Sequence, residues 1–237
     1  ITNITRVLFM DDKVIGIDAS RNRSGGAKAH LIGILTGADP REFGIVKVHL
    51  WAYQALMQNI PDYPWLEKHT PKLIEKPLFH QVWWQFWHLP KLAKKMGCDL
   101  VFNTDAGSVC PFYPSVTLSQ DLLSFEPKEM RRFWPSKAWL RLLLLKYVQV
   151  ASLKKAVGSI FLTHYVAEVI QKYTGKLHDY SVISHGVGEN FRAVGEARVL
   201  VQKNKRNPVR VLYVSNTERY KHQWQVADAV HQLKEQG

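Results

Sequence analysis

The residues that could do chemistry in this chain fall in a few short stretches. Gly25 and Gly26 close the polar loop ASRNRSGG, between the apolar run KVIGID at 13–18 and the helix-patterned AKAHLIGIL. Glycines there tolerate close approach, and the free N–H groups of a helix start can hold a diphosphate, although a simple turn uses the same residues. Gln120 and Asp121 end the run SVTLSQD. The glutamine amide can donate to a carbonyl or a phosphate, and the aspartate can orient a hydroxyl or a neighbouring side chain, or cap the next turn. Asp105 has the same strand-end position and the same two readings. Ser215, Asn216 and Lys221 surround a last loop, where a lysine at a helix start can neutralise a departing diphosphate or lie solvated. His185, in SHGVG, has no neighbouring acid or nucleophile in sequence and reads as a loop residue.

Other chemistries lack their signatures. The chain has no HExxH, GxSxG, CxxC, Walker A or strand-end Asp-x-Asp pattern, so no metal site is expected. Cys98 and Cys110 are the only cysteines and form no close ligand cluster. Without a secretion signal they read as reduced thiols of a cytoplasmic protein.

Alternating elements must position these loops. Strands are expected at 13–18, 46–51, 99–104, 115–121, within SIFLT, and at 209–215; helices over AKAHLIGIL, on both sides of Pro90, over 136–156, over HYVAEVIQKY up to Gly175, and over KHQWQVADAVHQL. The proline-punctuated stretch 60–78 reads as a loop with short helical pieces. Such alternation implies an α/β fold, a mostly parallel sheet with helices on both faces.

Composition is consistent with a packed core. Of 237 residues, 46% are hydrophobic, which argues against wholesale disorder. A formal charge of +12 favours phosphates, sugar nucleotides, nucleic acid or anionic lipid without choosing among them. Aromatics cluster near 83–87 and form no RNP1, KH or zinc-finger signature, so nucleic acid is the weakest of these partners. The nearly apolar run at 139–151 holds Arg141 and Lys146 and is too short to span a membrane.

Taken in order, several stretches resemble the retaining GT-B glycosyltransferases of family 4. GIDAS with SGG is similar to that family's opening strand and glycine-rich loop. VTLSQD resembles its strand before a His-Asp pair, and SIFLTHYVAEVI its strand-serine-helix segment. SVISHGVGENF resembles the turn near its domain junction, and VLYVSNTERYKHQWQVADAV the opening strand, loop and helix of its C-terminal domain. The resemblance implies a Rossmann-like acceptor-side domain over 1–192, a linker over 193–208, and over 209–237 the first strand and helix of a truncated donor-side Rossmann-like domain. The chain begins at Ile1 and stops before the family's Glu-x7-Glu motif, so it is expected to be a fragment or a natural truncation.

By the same resemblance, Gly25, Gly26, Ser215, Asn216 and Lys221 would bind the nucleotide-sugar donor, and Gln120 and Asp121 would act at the reacting centre. The family histidine falls at Gln120 and the family arginine at Asn216. The implied activity is transfer of a sugar, with retention, to a glycan or lipid-linked acceptor, with no cofactor besides the donor substrate. The alternative is a noncatalytic binding or interaction module, motivated by those two replacements. Many relatives meet lipid-linked acceptors at membranes. The basic amphipathic stretch at 130–149 therefore reads either as a buried domain helix, the simpler account of its leucines, or as a peripheral contact with an anionic membrane surface.

Overall fold

The computed structural model describes residues 12–23, 25–186 and 211–236. Its centre is a seven-stranded sheet of β1 (Lys13–Asp18), β2 (Ile45–Trp51), β3 (Leu66–His69), β4 (Leu100–Asn103), β5 (Ser115–Ser119), β6 (Gly158–Phe161) and β7 (Tyr180–Val182). All neighbouring pairs are parallel, in the order β3-β2-β1-β4-β5-β6-β7. The first six strands follow the doubly wound Rossmann order, with the reversal of direction between β1 and β4. The stretches at 99–104 and 115–121 thus lie side by side in one sheet, with Val101 opposite Ser115.

Helices are α1 (Gly25–Gly37), α2 (Gln54–Met57), α3 (Leu78–Trp87), α4 (Leu89–Lys95), α5 (Pro127–Arg131), α6 (Lys137–Lys155), α7 (His164–Thr174) and α8 (Gln223–Glu235). Pro90 opens α4, where its missing N–H costs no helical hydrogen bond. Thr163 Oγ1 caps α7 by accepting from Val166 N at 3.2 Å, and Gly175 ends it with φ +75°.

The main core gathers Leu31 and Leu35 of α1, Leu50 and Trp51 of β2, Trp84 of α3 and Val101 of β4. A second cluster joins Phe125, Leu153, Phe161 and Ile170. Gly16 is demanded by the first: a Cβ there would meet the buried Trp51 ring at 2.7 Å.

Three expectations change. The stretch 60–78 holds β3, a four-residue strand of sequence LEKH. It is a short, charged edge strand, and its backbone pairing with β2 leaves no apolar alternation to read. Residues 211–215 form no strand; Val211, Leu212 and Val214 are exposed, and no described strand lies beside them to complete a ladder. The linker at 193–208, Val209 and Arg210 lie outside the described residues. Finally, the leucines of α6 are not all core: Leu140 and Leu144 are exposed, and only Gln149 and Leu153 of that helix are buried. Four consecutive leucines span about 300° of a helix, so one face cannot hide them all. Among the described residues, no helix is long and apolar enough to cross a membrane.

Candidate functional site

A parallel sheet places every strand's carboxyl end on one rim, and the crevice opens where the order reverses, here between β1 and β4. Asp18 ends β1 at this point and is buried. Its Oδ1 accepts from Ser20 N at 3.1 Å and Ser20 Oγ at 2.6 Å. Its Oδ2 accepts from Gln85 Nε2 at 2.7 Å and Ser108 Oγ at 3.3 Å. Burial raises the Asp18 carboxyl above its ordinary value, while these hydrogen bonds and the nearby Arg21 charge oppose the rise.

Next to it, the Thr104 hydroxyl lies 2.8 Å from the Asp18 carbonyl and 2.9 Å from the Asn22 side-chain amide. A hydroxyl has one proton, so the satisfied arrangement has Thr104 donating to the carbonyl and Asn22 turning its NH2 toward Thr104. Arg21 donates to the Gly107 carbonyl at 2.5 Å and sits 3.6 Å from Asp105, tying the loop after β1 to the loop after β4. Asp105 also accepts from Gly107 N at 2.8 Å, so its carboxylate is committed to shaping that loop. Arg23 donates to the Ile74 carbonyl at 2.6 Å and stacks over Tyr53.

The residues singled out in the sequence lie around this rim. Gly25 and Gly26 are the first two residues of α1, and a Cβ on either would meet nothing within 4 Å, so the helix start is open but not sterically bound to glycine. Gln120 donates from Nε2 to the Thr104 carbonyl at 3.0 Å, joining the tips of β5 and β4, with its Oε1 and second N–H unpartnered among the described residues. Asp121 Oδ1 accepts from Leu123 N at 2.9 Å, capping the following turn. His185 packs edge-on against His30 of α1, centroids 4.2 Å apart, which brings the turn after β7 beside the helix after β1.

The C-terminal segment meets the same rim through Tyr220, whose hydroxyl pKa is raised by burial and then by the negative charges of Asp121 and Glu218. Lys221 Nζ sits 4.9 Å from the centre of the Tyr220 ring. Arg219 donates to the Arg132 carbonyl at 2.8 Å, and His222 lies 3.5 Å from Glu129 of α5. Ser215 and Asn216 are held together by Gln223, whose Nε2 lies 3.2 and 3.0 Å from their carbonyls. Tyr220 thus lies within electrostatic reach of Asp121, although 99 residues separate them in sequence.

Beside the crevice, a cleft of about 450 Å³ lies between α3 and α6. Phe79, Trp83, Phe86 and Trp87 form one wall, Val148 and Lys155 the other, and Ser108 and Cys110 lie between. Ser108 therefore belongs both to the cleft and to the Asp18 cluster. Burial pushes the Cys110 thiol up to about 12, which keeps it protonated and removes it as a nucleophile.

Sequence reasoning missed Asp18, Gln85, Ser108 and the cleft. A signal existed in QVWWQFW: Gln81 and Gln85 stand four apart on the buried stripe that also carries Trp84. Polar groups on such a stripe must find buried partners. It also missed His49, Glu67 and His69, three potential metal ligands whose donor atoms lie within 4.8 Å of one another.

Sheet order, crevice and rim define a Rossmann-like α/β domain with a polar site at the strand carboxyl ends. No family model and no curated protein matches the chain. Among solved structures it is similar to HepE of Anabaena, crystallised with UDP and glucose, at 17% identity and a TM-score of 0.47, over 76% of this chain and 46% of that one. The chain thus spans about half the length of that protein.

Proposed function

We propose that this chain is the acceptor-side part of a GT-B glycosyltransferase that moves a sugar from a nucleotide-sugar donor to a glycan or lipid-linked acceptor, with retention. The observation that carries the reading is the continuity, through Ser108, between the aromatic cleft and the polar crevice at the sheet's switch point. Aromatic faces suit sugar rings and isoprenoid chains, and a switch-point crevice suits a nucleotide.

In this reading the acceptor lies along Phe79, Trp83 and Trp87, with its reactive hydroxyl toward Ser108 and Gln120. The donor diphosphate faces the open start of α1 at Gly25 and Gly26, with Lys221 approaching from the C-terminal segment and Ser215 and Asn216 beside it. Bond breaking at the sugar carbon leaves negative charge on the diphosphate, and fixed N–H groups and a cation stabilise that charge more than the ground state. Gln120 orients the donor through its free amide atoms, and Asp121 holds the turn that carries Gln120. Cytoplasmic location and contact with a membrane surface belong to the same proposal.

The test is incubation of a full-length form with a panel of nucleotide sugars and with glycan and lipid-linked acceptors, read by mass spectrometry. Sugar transfer, seen as a mass shift of the acceptor, with the donor's anomeric configuration kept by NMR of the product, is the expected result. Lys221→Ala should weaken nucleoside diphosphate binding by about 1–3 kcal/mol with the fold intact. Absence of both transfer and donor hydrolysis across the panel would remove the enzymatic reading and favour a noncatalytic binding module.

A further inference from the structure

At the opposite side of the sheet from β7, three side chains converge that nothing in the proposed transfer reaction uses. His49 on β2 stands opposite Glu67 on the edge strand β3, and His69 lies two residues further along β3. Strand alternation puts His49 on one face of β2 and Glu67 and His69 on one face of β3. His49 is buried, His69 is mostly covered, and Glu67 opens to solvent.

The separations have the scale of a coordination sphere. His49 Nδ1 and His69 Nε2 are 3.0 Å apart, and Glu67 reaches them with Oε2 at 3.6 Å and Oε1 at 3.7 Å. Ligands about 2.0–2.1 Å from a tetrahedral ion stand about 3.3 Å from each other; with one atom taken from each residue, the three donors lie within 4.8 Å of one another, so a small side-chain adjustment closes the sphere. A shared proton between the imidazoles would account for the 3.0 Å contact alone. The Glu67 carboxylate adds a third donor group, with one oxygen facing each ring.

The geometry points to a divalent transition-metal site of the zinc class made by His49, Glu67 and His69. Two imidazoles and one carboxylate select such an ion over magnesium or calcium, which prefer all-oxygen spheres. The fourth position faces solvent on the Glu67 side and suits a water. The ion would pin β3, a four-residue edge strand, to β2 through side chains as well as backbone. Packing already orients the rings: His49 and His69 lie 6.2 and 5.5 Å from the Trp51 ring, both nearly parallel to it, and that ring rests on Gly16. Lys47 Nζ, 2.8 Å from Glu67 Oε2, competes for the carboxylate and must swing away when the ion binds; its side chain is half exposed and free to do so.

The experiment uses the tag-free chain after dialysis against a chelator. Zn2+ is titrated in competition with a chromophoric chelator, Co2+ binding is followed by visible absorption, and Mg2+ serves as a control ion. One tightly bound equivalent of Zn2+, a tetrahedral Co2+ spectrum, a higher melting temperature with Zn2+ and no effect of Mg2+ are expected. His69→Gln should lower Zn2+ affinity at least about tenfold and abolish the thermal shift, as losing even an outer partner of a metal ligand costs that much. Lys47→Ala should raise affinity several-fold, an effect that a purely structural histidine pair would not produce. Glu67→Gln, at an exposed position, serves in place of His69→Gln if the latter fails to fold. A wild-type chain that takes up no Zn2+, or that binds it no more tightly than His69→Gln or Glu67→Gln, overturns the assignment.

Discussion

Gln85 Nε2 lies 2.7 Å from Asp18 Oδ2 and 3.1 Å from Ser20 Oγ, fastening α3 to the carboxyl end of β1 across 67 residues of chain. Both side chains are buried, so this bond joins the wall of the aromatic cleft to the floor of the crevice. Movement of either would displace the other.

Replacing Gln85 with leucine keeps the volume but leaves a buried carboxyl short of a donor. A loss of about 1–3 kcal/mol is expected, since the penalty is that of an unpaired buried polar group. Urea unfolding of Gln85→Leu against wild type measures it, and an unchanged midpoint would show that Asp18 finds another partner.

Stability should also depend on pH through Asp18. Its folded-state pKa is raised, chiefly by burial, so its contribution is whole below the unfolded value and is lost as pH rises through the folded one. Asp18→Asn is neutral throughout and lacks that loss. The variant's stability relative to wild type should therefore improve as pH rises above the ordinary carboxyl value of about 4. Parallel stability curves for the two proteins would contradict the raised value.

Gly16→Ala adds one methyl where the buried Trp51 ring stands 2.7 Å away. The Trp51 ring is fully buried, and overpacking of this kind costs about 1–3 kcal/mol. Gly25→Ala, where a Cβ meets nothing, is the control and should be nearly neutral. Thermal melts of the pair separate a requirement for close approach from a general effect of glycine.

On α6, Leu140, Leu144 and Tyr147 share an exposed stripe, with Trp134 exposed before the helix and Lys137 and Arg141 alongside. Cosedimentation with vesicles should rise with anionic lipid content and fall as salt rises, because basic residues near a charged surface are screened within about 10 Å at 0.1 M salt. Leu140→Glu combined with Leu144→Glu should remove binding while leaving the melting temperature within a few degrees. Equal binding to neutral and anionic vesicles would exclude the electrostatic contact.

Much of this architecture was already present in local pattern. β1, β2, β4, β5 and β6 follow apolar runs bounded by polar loops, and α7 starts at Thr163 and stops at Gly175, because caps and periodicity act over a few residues. The rim positions of Gln120, Asp121 and Gly25 follow from the same logic, since loops after parallel strands share one edge. β3 was not legible: LEKH has neither alternation nor β-branched residues, and only its ladder with β2 makes it a strand. The strand expected at 209–215 had the right pattern and no described neighbour to pair with. Tertiary structure alone decided the partners of Asp18 and Gln85, the electrostatic reach of Asp121 to Tyr220, and the gathering of His49 with Glu67 and His69. These depend on contacts between segments from 18 to 99 residues apart, which strand order and register create and no local periodicity encodes.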